Sequence, residues 1–430
     1  AALAGDVRYY FGLPVVTGSV KWRVTREPVY PRWWHWWYPS SSTQAQVVAA
    51  GETSLDDEGR FHVDFTPSAD ERLAKRGVTY RYRLGVDVSD EGGETRSAER
   101  VFRLGFVSVE ARIVADLGFL TAKSAAAVRV LRTDLDGVPR AGKGGWRLLQ
   151  LEQPGETLTP ADQPRPSPPE GEDGYQTPGD RLRPRWDPDY DPEAVLAAWS
   201  EDREIAAGEI SHGDDGSAEL ELPGLAAGAY RLIYTTEDEF GAEFETSKNL
   251  VVVGSRRTPL ALPAMARFES SSVAVGETAR LFVFTGLKAQ EMVLEIYRDG
   301  RRVERREIGA GRSGVVDFPI SASDRGGFGV TLTLVRDHQL IRQTAQLFVP
   351  WDDRVLDLDF ATFRDRMRPG TRETFTVTVR CRDGSSVDTD TAELLAYMYD
   401  RSLDIFAPHT PPAVSSLYPS LLGIGWLSDS

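Results

Sequence analysis

The sequence predicts an all-β protein built as a row of antiparallel β-sandwiches, with one long loop and a short helix inserted in the second. Three observations carry that expectation. Apolar and polar residues alternate with a period of two in run after run, and short turns bearing glycine, aspartate or proline separate the runs. The same order of turn and strand then returns about every hundred residues, which is the size of one sandwich and too long for a solenoid unit.

The clearest unit begins at Pro369-Gly370, where a turn leads into Phe375, Val377, Val379 and Cys381 at a spacing of two. A turn at Arg382-Asp383-Gly384 and an apolar run from Leu394 to Met398 follow. Earlier segments vary this pattern. Val273 to Gly276 before Ala279 to Thr285 parallels Met367 to Gly370 before Thr374 to Val379. A turn glycine, an alternating strand, a loop and a strand ending at an acidic turn recur at Asp57 to Asp90, Asp215 to Asp238 and Ser313 to Asp337.

In chain order, residues 1–107 form the first unit. Val20, Trp22 and Val24 alternate until Glu27-Pro28 is expected to end the run, and Asp57-Glu58-Gly59 turns into Phe61, Val63 and Phe65. Thr79 to Val86 alternates towards a turn at Glu91-Gly92-Gly93. The second unit, 108–254, opens with Val109, Arg112 to Val114 and Val128 to Leu131 and turns at Asp134-Leu135-Asp136-Gly137. Its insertion spans 153–207: a surface loop dense in proline and glycine from Gln153 to Pro192, then a helix expected over Glu193 to Ala207, a run rich in helix formers. Strands resume with Leu220, Leu222 and Gly228 to Leu232. The third unit, 255–350, carries Val275-Gly276-Glu277-Thr278 before Leu281, Val283 and Thr285, and a fourth, partial unit occupies 351–430.

Composition narrows the function classes. The 430 residues carry 65 acidic against 50 basic side chains, a net charge of −15 that repels phosphate backbones and anionic lipid. The densest basic run, Arg301, Arg302, Arg305 and Arg306, reads as a solvated strand face, so nucleic acid is excluded as a partner. The single cysteine, Cys381, excludes an internal disulfide framework and a cysteine metal site and is expected as a small buried hydrophobe. The chain opens Ala1-Ala2-Leu3-Ala4-Gly5 without a signal pattern and holds no apolar run of the ~18 residues a membrane span needs. Either the protein is cytosolic or a signal has been removed.

Candidate chemistry is sparse. His35, His62, His212, His338 and His409 are scattered without ligand spacing, and no Gly-x-Ser-x-Gly elbow occurs. Gly309 to Gly314 matches a dinucleotide glycine pattern but precedes a strand, where no helix N-terminus exists to hold phosphate. Asp134, Asp136 and Gly137 hint at a calcium loop without its later ligands, and Asp400 and Asp404 read as turn or capping residues. No catalytic constellation, cofactor or metal is expected, and the chain is not expected to be an enzyme. The aromatic tract Trp33, Trp34, Trp36, Trp37 and Tyr38 would divide between two strand faces. Packing within or between domains, a partner or protease contact, and a sugar platform all remain open for it.

Several motifs together resemble the large bacterial alpha-2-macroglobulin-like proteins: Gly12 to Val15, Val20 to Val24, the aromatic tract Trp33 to Pro39, the Asp134 to Gly137 turn and, most strongly, Ala396-Tyr397-Met398-Tyr399-Asp400-Arg401-Ser402-Leu403-Asp404-Ile405-Phe406. The resemblance implies macroglobulin-like, fibronectin-type-III-like sandwiches: the third domain of the family at 1–107, the fourth at 108–254, the fifth at 255–350, and the opening of the sixth at 351–430, leading towards the bait region. It also implies a protease-trapping scaffold, with target proteases and other domains of the same parent chain as partners. The implied location is the bacterial periplasm or cell envelope, with any membrane anchor outside this stretch. The family's thioester requires Cys-Gly-Glu-Gln or a close variant, whereas Cys381 is followed by Arg382-Asp383-Gly384.

The bait-proximal segment implied by this resemblance comprises Leu403, Asp404 and Phe406, then Leu417, Tyr418, Leu421, Leu422 and Trp426. Pro408, Pro411, Pro412 and Pro419 disfavour regular pairing there. No lysine or arginine follows Arg401, so the apolar residues suit chymotrypsin-like or elastase-like pockets rather than trypsin-like ones. The alternatives are a passive envelope spacer or adhesin array and a carbohydrate-binding module.

Overall fold

The computed structural model describes residues 1–9, 12–29, 45–72, 77–114, 117–163, 185, 190–352, 355–360, 370, 372, 374–381, 387 and 418–425. It is all-β, a series of antiparallel sandwiches, and divides into two compact units, Ala1–Leu262 and Pro263–Ser430. Among the described residues no helix is long and apolar enough to cross a membrane.

The first sandwich is built from β1 (Ala2–Asp6), β2 (Gly18–Val29), β3 (Gln46–Ser54), β4 (Arg60–Asp64), β5 (Thr79–Asp90) and β6 (Thr95–Gly105). The sheet β3-β2-β5-β6 packs on the pair β1-β4. Strand β5 shows why this sequence makes a sheet: Tyr80, Tyr82, Leu84 and Val86 are buried at a spacing of two, while Arg81 and Arg83 face solvent. Tyr82 stacks on Phe102 at 5.8 Å between ring centroids, and its hydroxyl donates to Ser68 O at 2.6 Å, so its one polar atom is satisfied inside the core. The expected stop at Glu27-Pro28 is corrected: β2 continues to Val29, with Pro28 opposite Tyr80. Described pairing with β3 has ended at Arg26 and Gln46, so the missing proline N–H costs none of those ladder bonds.

The second sandwich comprises β7 (Val109–Val114), β8 (Leu120–Thr121), β9 (Ala126–Asp134), β10 (Gly142–Leu151), α1 (Pro192–Ala198), β11 (Glu201–His212), β12 (Ser217–Leu222), β13 (Gly228–Glu237) and β14 (Glu243–Val253). Sheet β12-β9-β7 faces sheet β11-β10-β13-β14-β8. Between them Val128, Val130, Leu220 and Leu222 meet Leu148, Leu232, Leu250 and Val252 in one core.

The expected helix over Glu193 to Ala207 is corrected to half that length. Asp191 caps α1 by accepting the Glu193 N–H at 2.8 Å, Pro192 begins the first turn, and the backbone is extended again by Trp199. Glu201–His212 instead pairs along β10, with Ile205 and Ile210 packed on the core. Helix propensity is a weak local preference, and a ladder of sheet bonds to β10 outweighs it. The excursion between β10 and β11 therefore ends well before residue 207.

The second unit contains a sandwich of β15 (Met265–Phe268), β16 (Thr278–Phe284), β17 (Met292–Arg298), β18 (Arg301–Ile308), β19 (Gly314–Pro319), β20 (Phe328–Arg336) and β21 (Gln339–Leu347). Its sheets are β15-β16-β19 and β18-β17-β20-β21. Met265, Leu281, Val283, Leu294, Val330 and Leu332 are almost wholly buried. Three arginines of the edge strand β18 pair with acids, Arg302 with Glu295 at 2.7 Å, Arg305 with Glu307 at 3.8 Å and Arg306 with Glu304 at 2.5 Å. Finally β22 (Leu356–Phe360) pairs with β23 (Val377–Cys381). The expectation of a buried cysteine is corrected: Cys381 is half-buried and Phe375 is exposed, because the one strand described beside β23 exposes all five of its residues and forms no core over it.

Candidate functional site

Of the sequence-derived candidates, Leu403, Asp404, Phe406, Leu417 and Trp426 lie outside the described residues, as do Trp33, Trp34, Trp36, Trp37 and Tyr38. Tyr418, Leu421 and Leu422 are described and half-buried, and they lie on the sandwich of the second unit.

The receiving surface is made by two turns and a strand start. Asp299 (φ 49°) and Gly300 (φ 74°) form the tight connection between β17 and β18, two left-handed residues in succession as a short hairpin requires. A single 3₁₀ turn, Ala322–Asp324, follows Ser321, whose side chain and that of Asp324 cap each other's backbone. It delivers the chain to Gly326 (φ 85°) and Gly327 (φ 83°), and β20 starts one residue later.

Tyr418–Gly425 lies across this surface as a strap. The Leu421 N–H donates to Gly326 O at 2.8 Å, and Leu421 O accepts from the Asp299 N–H at 3.0 Å. Gly423 O accepts from the Gly300 N–H at 2.9 Å. Two side chains complete the contact: Gln346 Nε2 donates to Leu422 O at 3.0 Å and Trp351 Nε1 to Pro419 O at 3.2 Å. The Trp351 and Tyr418 rings stand 6.3 Å apart. Every strap atom in these hydrogen bonds belongs to the main chain. The glycines make room for it. A Cβ on Gly329 would stand 2.5 Å from Ile424 Cγ1 and 2.9 Å from Leu422 O. Sequence reasoning missed this surface, although Gly326-Gly327-Phe328-Gly329 was visible: glycine inside a strand signals close approach of another backbone.

Two polar clusters in the first unit have structural geometry. Buried Arg132 donates to Thr236 Oγ1 at 3.0 Å, Ala141 O at 2.6 Å and Glu237 O at 2.9 Å. Close by, His212 Nδ1 bonds Gly216 O at 2.9 Å and Nε2 meets the Tyr234 hydroxyl at 2.6 Å. A carbonyl only accepts, so Nδ1 carries the proton and Tyr234 donates to Nε2. Burial pushes the His212 pKa below the usual imidazole range, despite the opposing pull of the Gly216 carbonyl, and burial raises that of Tyr234. The pair is neutral and locked. It has the properties of a core bracket rather than of an acid–base couple, and no metal-ligand cluster occurs among the described residues.

The second cluster joins the first two sandwiches. Arg103 on β6 reaches Glu110 at 3.1 Å and Leu135 O at 2.7 Å, while Asp136 accepts its backbone N–H at 2.8 Å. Asp238 accepts from the Ser108 N–H at 2.8 Å and its hydroxyl at 3.0 Å, as well as from Phe240 and Ala242. Burial works against the charge on Asp238, but these bonds outweigh it and hold the carboxyl below its ordinary range. In the Asp134–Gly137 turn, Asp134 binds the N–H groups of Asp136 and Val138 and the Arg140 side chain, so that carboxylate is already satisfied by its own turn.

No protein-family model matches the chain, and no curated protein does. Solved structures do. The trypsin-activated alpha-2-macroglobulin of Escherichia coli is 15% identical, with 89% of this chain and 25% of that one covered and a TM-score of 0.36. Salmonella alpha-2-macroglobulin reacted with methylamine is 13% identical over 99% of this chain and 28% of its own, with a TM-score of 0.33. Dimeric latent PorU from Porphyromonas gingivalis is 13% identical over 81% of this chain and 31% of its own, with a TM-score of 0.20. The chain thus spans about a quarter of the length of the two macroglobulins. Likeness of this degree assigns no activity to it.

Proposed function

We propose that this chain is a scaffold portion of a bacterial alpha-2-macroglobulin-like protease trap. Its tandem sandwiches carry no chemistry; they hold and respond to a protease-sensitive segment leading away from the fourth unit. The observation that carries this reading is the run Leu394 to Phe406, which resembles the family's approach to the bait and is followed by a proline-broken stretch without lysine or arginine. The partners are proteases with chymotrypsin-like or elastase-like pockets, the location is the periplasm or cell envelope, and the chain is not an enzyme. Brief exposure to chymotrypsin, with the earliest cut located by mass spectrometry, tests this. The earliest cut is expected between Leu403 and Leu417. First cuts in the Gln153 to Pro192 stretch would instead favour a passive envelope spacer or adhesin, which shares the repeated sandwiches but needs no sensitive segment.

A further inference from the structure

The strap Tyr418–Gly425 and the surface beneath it have the attributes of a ligand and its site. Glycines stand where the two backbones come closest. Gly423 and Gly425 of the strap lie against the Gly300 backbone: a Cβ on Gly425 would stand 2.5 Å from Gly300 O, and one on Gly423 would stand 3.1 Å from Gly300 N. Gly329 has no left-handed backbone that would demand glycine, so the close passage of Leu422 and Ile424 is what a side chain there would obstruct. The strap sequence, Tyr-Pro-Ser-Leu-Leu-Gly-Ile-Gly, bears no charge, and its leucines and isoleucine are half-buried.

We propose that the groove formed by the Asp299-Gly300 turn, Gly326, Gly327, Gly329, Gln346 and Trp351 is a binding site for an extended, uncharged, aliphatic peptide. Tyr418–Gly425 is its ligand in cis. The five hydrogen bonds of an eight-residue strap make a small interface, and eight residues must be ordered to form it. What keeps the site filled is the tether. The 66 residues between Trp351 and Tyr418 make association intramolecular, which raises the effective concentration of the strap at the groove above that of a free peptide. Cutting that connection removes the advantage, so the strap leaves and the groove opens to a second peptide of the same pattern. This stands whether or not the chain traps proteases, because it depends on the groove and not on which enzyme cuts.

The test uses hydrogen exchange of the intact 430-residue chain, read at the Asp299, Gly300 and Leu421 amides. Leu421→Pro removes the donor to Gly326 O without touching the sandwich, and Gly329→Ala blocks the groove from the other side. Each is expected to lower protection at Asp299 and Gly300 by about tenfold or more, while Leu332 and Leu334 inside β20 keep theirs. A labelled octapeptide of residues 418–425 is then expected to bind the Leu421→Pro chain saturably and to ignore the Leu421→Pro/Gly329→Ala chain. Unchanged protection at Asp299 and Gly300 in Leu421→Pro would overturn the proposal. So would an emptied groove with intact β20 protection that does not take up the octapeptide.

Discussion

At the scale of single residues, His212 couples the stability of the first unit to pH. Its pKa is lower in the fold than the ordinary value of 6.5, so the unfolded chain binds the proton more readily. Stability contributed by the neutral imidazole is therefore complete above about pH 6.5 and declines as pH falls from there towards the folded pKa, below which it changes no further. The urea midpoint of the first unit is expected to drop between pH 7 and pH 5, and His212→Gln is expected to flatten that dependence. Tyr234→Phe leaves Nε2 without its donor and is expected to cost about 1–3 kcal/mol at pH 7, measured by denaturant titration. A cost near zero would mean that the bracket adds nothing. Gly144 belongs to the same account, since a Cβ there would collide with the Tyr234 hydroxyl.

At the scale of elements, Asp191→Ala removes the cap of α1 and is expected to destabilise the second sandwich by about 0.5–2 kcal/mol, again read from the denaturant midpoint. The strands legible in the sequence were those whose signal is local. Strand β5 announces itself through Tyr80, Tyr82, Leu84 and Val86, and the turns through Gly59, Gly93 and Gly137, all in left-handed backbone where glycine is the least strained residue. Strand β11 was not legible, because its helix-forming composition is local while its partner β10 lies some fifty residues away across the insertion. The strap groove failed to show for the same reason. Gly326, Gly327 and Gly329 read as a turn running into a strand until the segment carrying Ile424 is seen lying on them.

At the scale of the molecule, the sandwiches close their sheets within themselves, so the behaviour of the array rests on a few joints. The joint between the first two is Arg103 with Glu110, Leu135 and Asp136, beside the Asp238 and Ser108 clamp. Arg103→Met keeps the stem and the backbone bond to Asp136 but loses the side-chain bonds to Glu110 and Leu135, and it is expected to split one unfolding transition of the first unit into two in differential scanning calorimetry. A single unaltered transition would show that the joint does not couple the sandwiches. The fold class was readable at this scale because alternation, turns and the recurrence near one hundred residues agree with one another. The proposed sensitive segment is marked by composition alone: proline without lysine or arginine gives chemistry and no geometry.

Cutting the segment after the fourth unit begins is expected to change the scaffold, and small-angle scattering before and after the first chymotryptic cut measures the change. A chain cut once between Leu403 and Leu417 is expected to show a changed radius of gyration, with Asp299 and Gly300 losing amide protection as the strap departs. A chain cut there whose scattering curve and amide protection match those of the uncut protein would contradict it.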